Sequence, residues 1–325
     1  MSSTVKTNTA FEQEVREGLT TFPKHLSSKY FYDDLGDIIF QKIMAMPEYY
    51  LTDCEYEILD TFKEDFRKIF NTSEGFDLIE LGAGDGKKTK LLLHHFDEEK
   101  TDFTYLPIDI SQHVLDLLET AVNKELPQVH IQTKQGTYFE VLDAIAKFNS
   151  RKKVILFLGS NIGNLLHPQA IDFLKKVNQA MNPEDILLIG FDQKKNPQTV
   201  LDAYNDQTGI TAAFNKNILH RINKELDGNF DVDQFLHWEV YDPETGTAKS
   251  YLVSKVSQEV YIAAMDLRIS FNAWETIHTE ISQKYDDEVV TWLAKEAGLQ
   301  ITHQFADSRN FYKNYIFQKE SNKNI

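Results

Sequence analysis

Cysteine is nearly absent from this sequence, since Cys54 is the only one among 325 residues. A single thiol excludes an intrachain disulfide framework and a cysteine-rich zinc site, and it favours a reducing compartment. The chain has no apolar run of the roughly 18 residues that a membrane-spanning helix needs. The segment 1–11 also lacks the apolar core of a signal peptide. We therefore expect a soluble, cytoplasmic protein.

Basic residues are scarce as well: 34 Lys and Arg stand against 50 Asp and Glu, which gives a formal net charge of −16. This excess of negative charge repels phosphate backbones and disfavours a nucleic-acid partner. No metal site is expected, because the adjacent His94 and His95 would project about 100° apart on a helix. The chain also lacks a Gly-x-Ser-x-Gly elbow, and Cys54 has no histidine near it in sequence, so nucleophilic catalysis has no support.

Strand-like and helix-like segments alternate in the middle of the chain, which favours an α/β fold with a doubly wound sheet. After Asp192 this pattern is replaced by helical periodicity over 194–230 and by alternation over 236–271. The predicted strands of the first region are 77–81, 103–110, 129–133, 153–158 and 185–191, with closing strands at 300–306 and 314–318. We predict a Rossmann-like core from 62–192 plus 286–320, and a second α+β domain from 1–61 plus 193–285.

A glycine-rich loop follows the first of these strands. Gly82, Gly84 and Gly86 have the spacing typical of methyltransferases that use S-adenosylmethionine (SAM), whereas a dinucleotide fingerprint would need a glycine where Lys87 stands. Asp109 ends the next predicted strand, where a carboxylate can accept hydrogen bonds from both ribose hydroxyls. The strand context and Asp109 favour SAM binding over a simple tight turn.

Four further stretches contain polar and aromatic residues beyond what core packing needs. They are two tyrosine-rich segments at 29–34 and 46–52, the loop 158–164 after a predicted central strand, and the segment 279–282. Tyrosines suit a pocket for a small polar ligand, and ligands of open α/β sheets bind at the carboxyl ends of strands. In an extended segment Glu280 and Ser282 would face the same side. Ordinary packing, a structural turn and a solvated surface are the alternative interpretations of these stretches.

Together these stretches resemble the histidine-specific SAM-dependent methyltransferases of ergothioneine biosynthesis. Those enzymes trimethylate the α-amino group of L-histidine to give hercynine, and release S-adenosylhomocysteine. The likeness covers nearly the whole chain, and its most specific parts are Pro47-Glu-Tyr-Tyr and the long segment Ala203-Tyr-Asn-Asp-Gln-Thr-Gly. It implies a Rossmann-like SAM-dependent methyltransferase core with a second α+β substrate-binding domain.

The resemblance also implies a role for each matching residue. Tyr49, Asn164 and Tyr204 would hold the amino and carboxylate groups of the amino-acid substrate, and together with Tyr32 they are the predicted catalytic residues. Further substrate contacts would come from the backbone of Gly159 and from the side chains of Ser250, Glu280 and Ser282, the last two of which would bind the imidazole. The cofactor would be bound by Tyr32, Gly82, Gly84, Gly86, Lys88, Asp109, Thr137 and Tyr138.

Two positions depart from the family pattern. Ser250 stands where a methionine commonly lines the imidazole pocket, and Gly136-Thr137-Tyr138 replaces a common Gly-Asp-Phe. Thr137 could accept a hydrogen bond from the adenine amino group, although less strongly than a carboxylate. The change at Ser250 leaves two alternatives open, methylation of a histidine ring nitrogen and methylation of another amino acid. A catalytically silent, SAM-binding regulatory protein is a third alternative, and a monomer is compatible with the sequence.

Overall fold

The computed structural model describes residues 9–137, 140 and 151–320, and its chain forms two compact units. Unit 1 consists of Met1–Tyr49 and Asn196–Ser282, and unit 2 consists of Tyr50–Lys195 and Gln283–Ile325. The division predicted from the sequence differs from this one mainly in the helix that begins at Tyr50. That helix lies in unit 2 because it contacts the last strand of the unit 2 sheet.

The elements of the described residues follow the predicted pattern closely. The helices are α1 (Ala10–Thr20), α2 (Asp34–Met44), α3 (Tyr50–Thr61), α4 (Lys63–Phe70), α5 (Thr89–Glu98), α6 (Gln112–Glu125), α7 (His167–Ala180), α8 (Pro197–Tyr204), α9 (Ile210–Glu225) and α10 (Asp287–Glu296). The strands are β1 (Lys24–His25), β2 (Phe76–Leu81), β3 (Phe103–Asp109), β4 (His130–Ile131), β5 (Lys134–Gln135), β6 (Lys152–Phe157), β7 (Ile186–Asp192), β8 (Phe235–Asp242), β9 (Thr247–Ser254), β10 (Gln258–Ile262), β11 (Leu267–Phe271), β12 (Thr276–Gln283), β13 (Leu299–Ala306) and β14 (Tyr312–Lys319).

Unit 2 is built on one large sheet with the order β13-β14-β7-β6-β2-β3-β4, in which β5 also pairs with β3. The pairs from β7 to β4 are parallel, and β14 is antiparallel to both of its neighbours. Every residue of β2 and β7 is buried, so both faces of the sheet are covered. This arrangement confirms the predicted Rossmann-like core, and it places the loops that follow β2, β3 and β6 at one edge of the sheet.

Unit 1 contains a smaller sheet with the order β1-β12-β9-β8 and a separate antiparallel pair, β10 and β11. Strands β8 and β9 form a hairpin, whereas β1 lies parallel to β12. Alternate residues of β8 are buried, and Phe235, His237 and Glu239 lie on the buried side. The alternation predicted for this region is therefore confirmed, and it brings polar side chains into the interior of unit 1.

One predicted strand is shorter than expected. The segment 129–133 forms only the two-residue strand β4, which pairs with Thr104 and Tyr105 of β3.

Among the helices of the described residues, none combines the length and the apolar character that crossing a membrane would require.

Candidate functional site

The glycine-rich loop of unit 2 lies between β2 and α5. Gly82, Gly84 and Gly86 have φ values of 73°, 55° and 63°, in the left-handed region that glycine adopts without strain. A Cβ atom on Gly84 would meet nothing within 4 Å, whereas one on Gly86 would lie 2.4 Å from Leu118 Cδ1. The loop is therefore open at Gly84, where a ligand can approach the backbone, and closely packed at Gly86.

Asp109 ends β3 beside this loop, as the sequence predicts. One of its carboxylate oxygens accepts a hydrogen bond from the Gly84 amide and the other from the Ser111 amide, each at 3.0 Å. Since a carboxylate oxygen can accept more than one hydrogen bond, both oxygens can also bind ribose hydroxyls. A glycine loop with open space and an adjoining carboxylate fits the nucleoside part of SAM.

Thr137 follows β5 and is hydrogen-bonded to Glu140, which was not among the predicted site residues. The Thr137 hydroxyl donates to Glu140 Oε2 at 2.8 Å, and the Thr137 amide donates to the same oxygen at 2.9 Å. The hydroxyl oxygen also accepts from the Glu140 amide at 3.4 Å. Because its proton is used as well, the oxygen can only act as an acceptor toward a ligand, through its second lone pair. The Thr-x-x-Glu spacing, typical of a helix start, was the available signal. Tyr138 lies outside the described residues.

Lys88 and Gly159 are brought together by Glu55. The Lys88 ammonium forms an ion pair with Glu55 Oε2, and the Gly159 amide donates to that oxygen at 2.7 Å. A Cβ atom on Gly159, whose φ is 74°, would lie 3.4 Å from Lys88 Nζ. Glu55 was missed, although a carboxylate on the same helical face as Leu51 and Leu59 was a visible signal.

Asn164 ends a short 3₁₀ helix, Asn161–Asn164, in the loop that follows β6. Its side chain is exposed. Asn164 thus lies in the loop after a central parallel strand of unit 2, the location expected for a ligand-binding amide.

In unit 1, the predicted tyrosines form one continuous aromatic row. The Tyr32 ring lies 5.5 Å from the Phe40 ring, Phe40 lies 6.4 Å from Tyr49, and Tyr49 lies 6.2 Å from Tyr204, measured between ring centroids. All three contacts are edge-to-face, with interplanar angles of 71° to 77°. Phe40 was not predicted, and it connects Tyr32 to Tyr49, which in turn contacts Tyr204 from a distant part of the chain.

The row ends at a hydrogen bond between two predicted substrate residues. The hydroxyls of Tyr204, on α8, and Ser282, on β12, lie 2.7 Å apart, and both residues are buried. Glu280 belongs to the same strand two positions before Ser282, and it is half-buried. The segment is extended, as the predicted pairing of Glu280 with Ser282 requires.

Ser250 lies on β9 and is almost fully buried. Its hydroxyl donates to Glu239 Oε2 on β8 at 2.5 Å, and its backbone carbonyl accepts from the Thr279 hydroxyl at 3.1 Å. Thr279 also donates to Asn215 at 2.7 Å. The structure thus connects Ser250 to the residue that precedes Glu280. Glu239 was missed because a lone carboxylate in an alternating strand is usually solvated.

Glu80 lies at the end of β2, next to the glycine loop, and is buried. It accepts hydrogen bonds from the Thr89 hydroxyl at 2.6 Å and from the Tyr105 hydroxyl at 2.5 Å. Burial raises the pKa of Glu80 to about 7, and the two hydrogen bonds oppose that rise. Glu80 thus connects the end of β2 to the start of α5 and to β3 from inside the unit.

Two other kinds of chemistry find no support among the described residues. Burial raises the pKa of the Cys54 thiol to about 12, which keeps it from acting as a thiolate nucleophile. No group of three or more His, Cys, Asp or Glu side chains in the described ranges has the arrangement needed to hold a metal ion.

The comparisons with known proteins agree over nearly the whole chain. Residues 11–319 match the family model described as histidine-specific methyltransferase, SAM-dependent. The chain is 36% identical to a histidine N-alpha-methyltransferase of Mycolicibacterium smegmatis over 92% of its own length and 91% of that protein, and 34% identical to one of Mycobacterium tuberculosis over the same shares. It is 28% identical to ergothioneine biosynthesis protein 1 of Schizosaccharomyces pombe, over 91% of this chain and 39% of that one.

Proposed function

Because the chain belongs to the family of histidine-specific, SAM-dependent methyltransferases, we propose that it methylates the α-amino nitrogen of L-histidine three times to give hercynine. Its cofactor is SAM and the second product is S-adenosylhomocysteine. The observation that carries this proposal is the aromatic row of Tyr32, Tyr49 and Tyr204, which ends at the Tyr204–Ser282 hydrogen bond beside Glu280.

Hydrogen-bonding groups without charge would bind the α-amino acid part of the substrate. We assign this role to the hydroxyls of Tyr49 and Tyr204 and to the amide of Asn164, with a backbone contact from Gly159. An α-ammonium has no lone pair, so the reaction needs the neutral amine. Tyrosine and asparagine can bind this amine without adding the negative charge that would hold its proton on.

The imidazole would be recognised by Glu280, Ser282 and Ser250. A carboxylate and a hydroxyl match the two ring nitrogens, one of which donates a hydrogen bond and the other of which accepts. A side chain without such groups would leave the carboxylate unpaired, at a cost of about 2 kcal/mol or more. This polar set favours histidine over apolar amino acids.

When bound, SAM supplies an electrophilic methyl group on a sulfonium, and the residues of this chain orient the substrate amine and let its proton leave. In each transfer a C–N bond would form at the substrate nitrogen as the methyl C–S bond of the sulfonium breaks, which gives S-adenosylhomocysteine. The nitrogen must lose one proton before each of the three transfers. The aromatic row can stabilise the growing positive charge by cation–π contact, since the final product is a quaternary ammonium.

The cofactor would be held by the open glycine loop and the carboxylate of Asp109. Tyr32, Lys88, Thr137 and Tyr138 are the further proposed contacts. We also propose a cytoplasmic location, which a single buried thiol supports.

Mass spectrometry of the products, after incubation with SAM and each free amino acid, tests this function. The expected result is histidine that carries three methyl groups, all of which the fragmentation pattern locates on the α-nitrogen. A single methyl on the imidazole would replace it with the ring-nitrogen alternative, and methylation of a different amino acid would reassign the substrate. If the protein binds SAM but methylates no amino acid, the proposal that it is an amino-acid methyltransferase is refuted.

A further inference from the structure

Glu55 has an unusually complete set of partners for a buried carboxylate. Its side chain has no exposed surface, and its oxygens accept hydrogen bonds from the Gly159 amide at 2.7 Å, the Tyr312 hydroxyl at 3.0 Å and the Asn314 amide at 3.1 Å. The Lys88 ammonium supplies the fourth partner as an ion pair. Burial and the carboxylate together hold the pKa of Tyr312 well above its ordinary value, so Tyr312 acts as the donor.

These partners come from separate parts of unit 2. Lys88 precedes α5 at the end of the glycine loop, Gly159 follows β6, and the other two donors lie on β14. One carboxylate on α3 therefore fixes two loops at the edge of the sheet. Two of its four partners, Lys88 and Gly159, are residues to which we assign ligand contacts.

The chemistry of Lys88 indicates which part of the cofactor it can recognise. The adenine and ribose of SAM are uncharged and its sulfonium is positive, so the only anionic group is the carboxylate of the amino-acid tail. An ammonium has three N–H donors. Since Glu55 takes one of them, two remain for that carboxylate, and the Lys88 side chain is partly exposed.

We propose that Glu55 is a positioning residue that holds the Lys88 ammonium in place to bind the carboxylate of the SAM amino-acid tail. This inference rests on the proposed SAM-dependent function. If Glu55 were instead a purely structural residue, its loss would lower the binding affinity for every ligand of the site to the same extent. The two roles therefore differ in their effect on a ligand that lacks the tail.

The experiment compares the dissociation constants of three ligands by calorimetry: SAM, S-adenosylhomocysteine and 5′-methylthioadenosine, which has no amino-acid tail. In Glu55→Gln, the affinity for the first two ligands should fall about 10- to 100-fold, the range for losing a charge-assisted contact. The affinity for methylthioadenosine should change by less than about 3-fold. Lys88→Met should give the same selective loss, and the double variant should be no weaker than Lys88→Met alone.

Asp185→Asn provides the matched control. Asp185 is also buried, pairs with Lys153 at 2.9 Å and accepts from the Asn182 amide at 2.6 Å. Its loss should lower the melting temperature and leave all three dissociation constants unchanged. If Glu55→Gln fails to fold, Glu55→Asp, which keeps the charge but shortens its reach, is judged by the same comparison.

An equal loss of affinity for all three ligands, an unchanged affinity for S-adenosylhomocysteine, or additive effects of the Glu55 and Lys88 variants would each overturn the inference. A wild-type chain that binds none of the three ligands would refute the proposed function instead. The two failures are thus distinguishable.

Discussion

Single hydroxyl groups take a large part in the proposed substrate site. The hydroxyls of Tyr204 and Ser282 are buried and bonded to each other, and the hydroxyl of Ser250 is directed to Glu239. A bond to Glu239 fixes the proton of Ser250, so its oxygen can only accept from a ligand. Recognition by such groups depends on the orientation of individual protons as well as on distance.

Tyr204→Phe should raise the KM for histidine about 3- to 10-fold, because it removes one hydrogen bond and leaves Ser282 without that partner. The dissociation constant of SAM should stay unchanged, and steady-state kinetics with calorimetry measure both. Tyr261→Phe is the matched control, since the exposed Tyr261 hydroxyl bonds to Asp266 outside the proposed site. Equal effects of the two variants on KM would contradict the role assigned to Tyr204.

His237, on the buried side of β8, should titrate far below an ordinary histidine. Burial is the main cause that lowers its pKa to about 4, and Lys216 adds to this while Asp206 opposes it. An NMR titration of the imidazole Cε1 proton measures the value directly. A titration midpoint near 6.5 would show that water reaches this part of unit 1.

In the loop between β2 and α5, glycines at neighbouring positions have different roles. All three of its motif glycines have positive φ, and Gly86 is packed against a helix, through Leu118 of α6. Gly84, with open space beside it, instead donates its amide to Asp109. The same residue type therefore serves packing at one position and ligand access at the other.

Alanine at each of these two positions should separate the roles. Both variants carry the strain of a left-handed alanine, about 1 kcal/mol or more. Gly86→Ala should lose additional stability because its methyl would lie 2.4 Å from Leu118, whereas Gly84→Ala should lose mainly SAM affinity. Denaturant melts and SAM calorimetry test this, and the opposite order of stability would contradict it.

The whole molecule carries a formal charge of −16. Two of its buried ionisable groups make the free energy of unfolding depend on pH in opposite directions. Glu80 in unit 2 has a folded pKa of about 7, above its ordinary 4.5, so the folded state binds more protons than the unfolded state between these values. The contribution of Glu80 to the free energy of unfolding is therefore lost as pH rises through this range. His237 in unit 1 has a lowered folded pKa, so its contribution is lost as pH falls from about 6.5 to about 4.

Glu80→Gln and His237→Gln should therefore tilt the curve of stability against pH in opposite directions. Relative to wild type, the free energy of unfolding of Glu80→Gln should rise from about pH 5 to 7, and that of His237→Gln should fall. Hydrogen exchange in β2 and in β8 reports the two units separately. Parallel curves for both variants and the wild type would show that neither group is desolvated in the fold.

Much of the architecture follows from local patterns in the sequence. The central strands are short apolar runs, the glycine spacing matches loops with positive φ, and the alternation after residue 235 forms a real hairpin. Even Asp109 could be located, because it directly ends a strand beside that loop. These features were predictable since periodicity and turn chemistry act over a few residues.

The partners of buried polar groups depend on contacts between distant segments. Glu55 meets Tyr312 and Asn314 more than 250 positions away, and Glu239 meets Ser250 across a hairpin. No pattern within one segment could reveal these pairs, and the contacts of α3 with β14 belong to unit 2. The sequence thus determines which elements form and which chemistry is available, while folding decides which carboxylates are desolvated and whose protons they hold, because burial is a property of the packed chain.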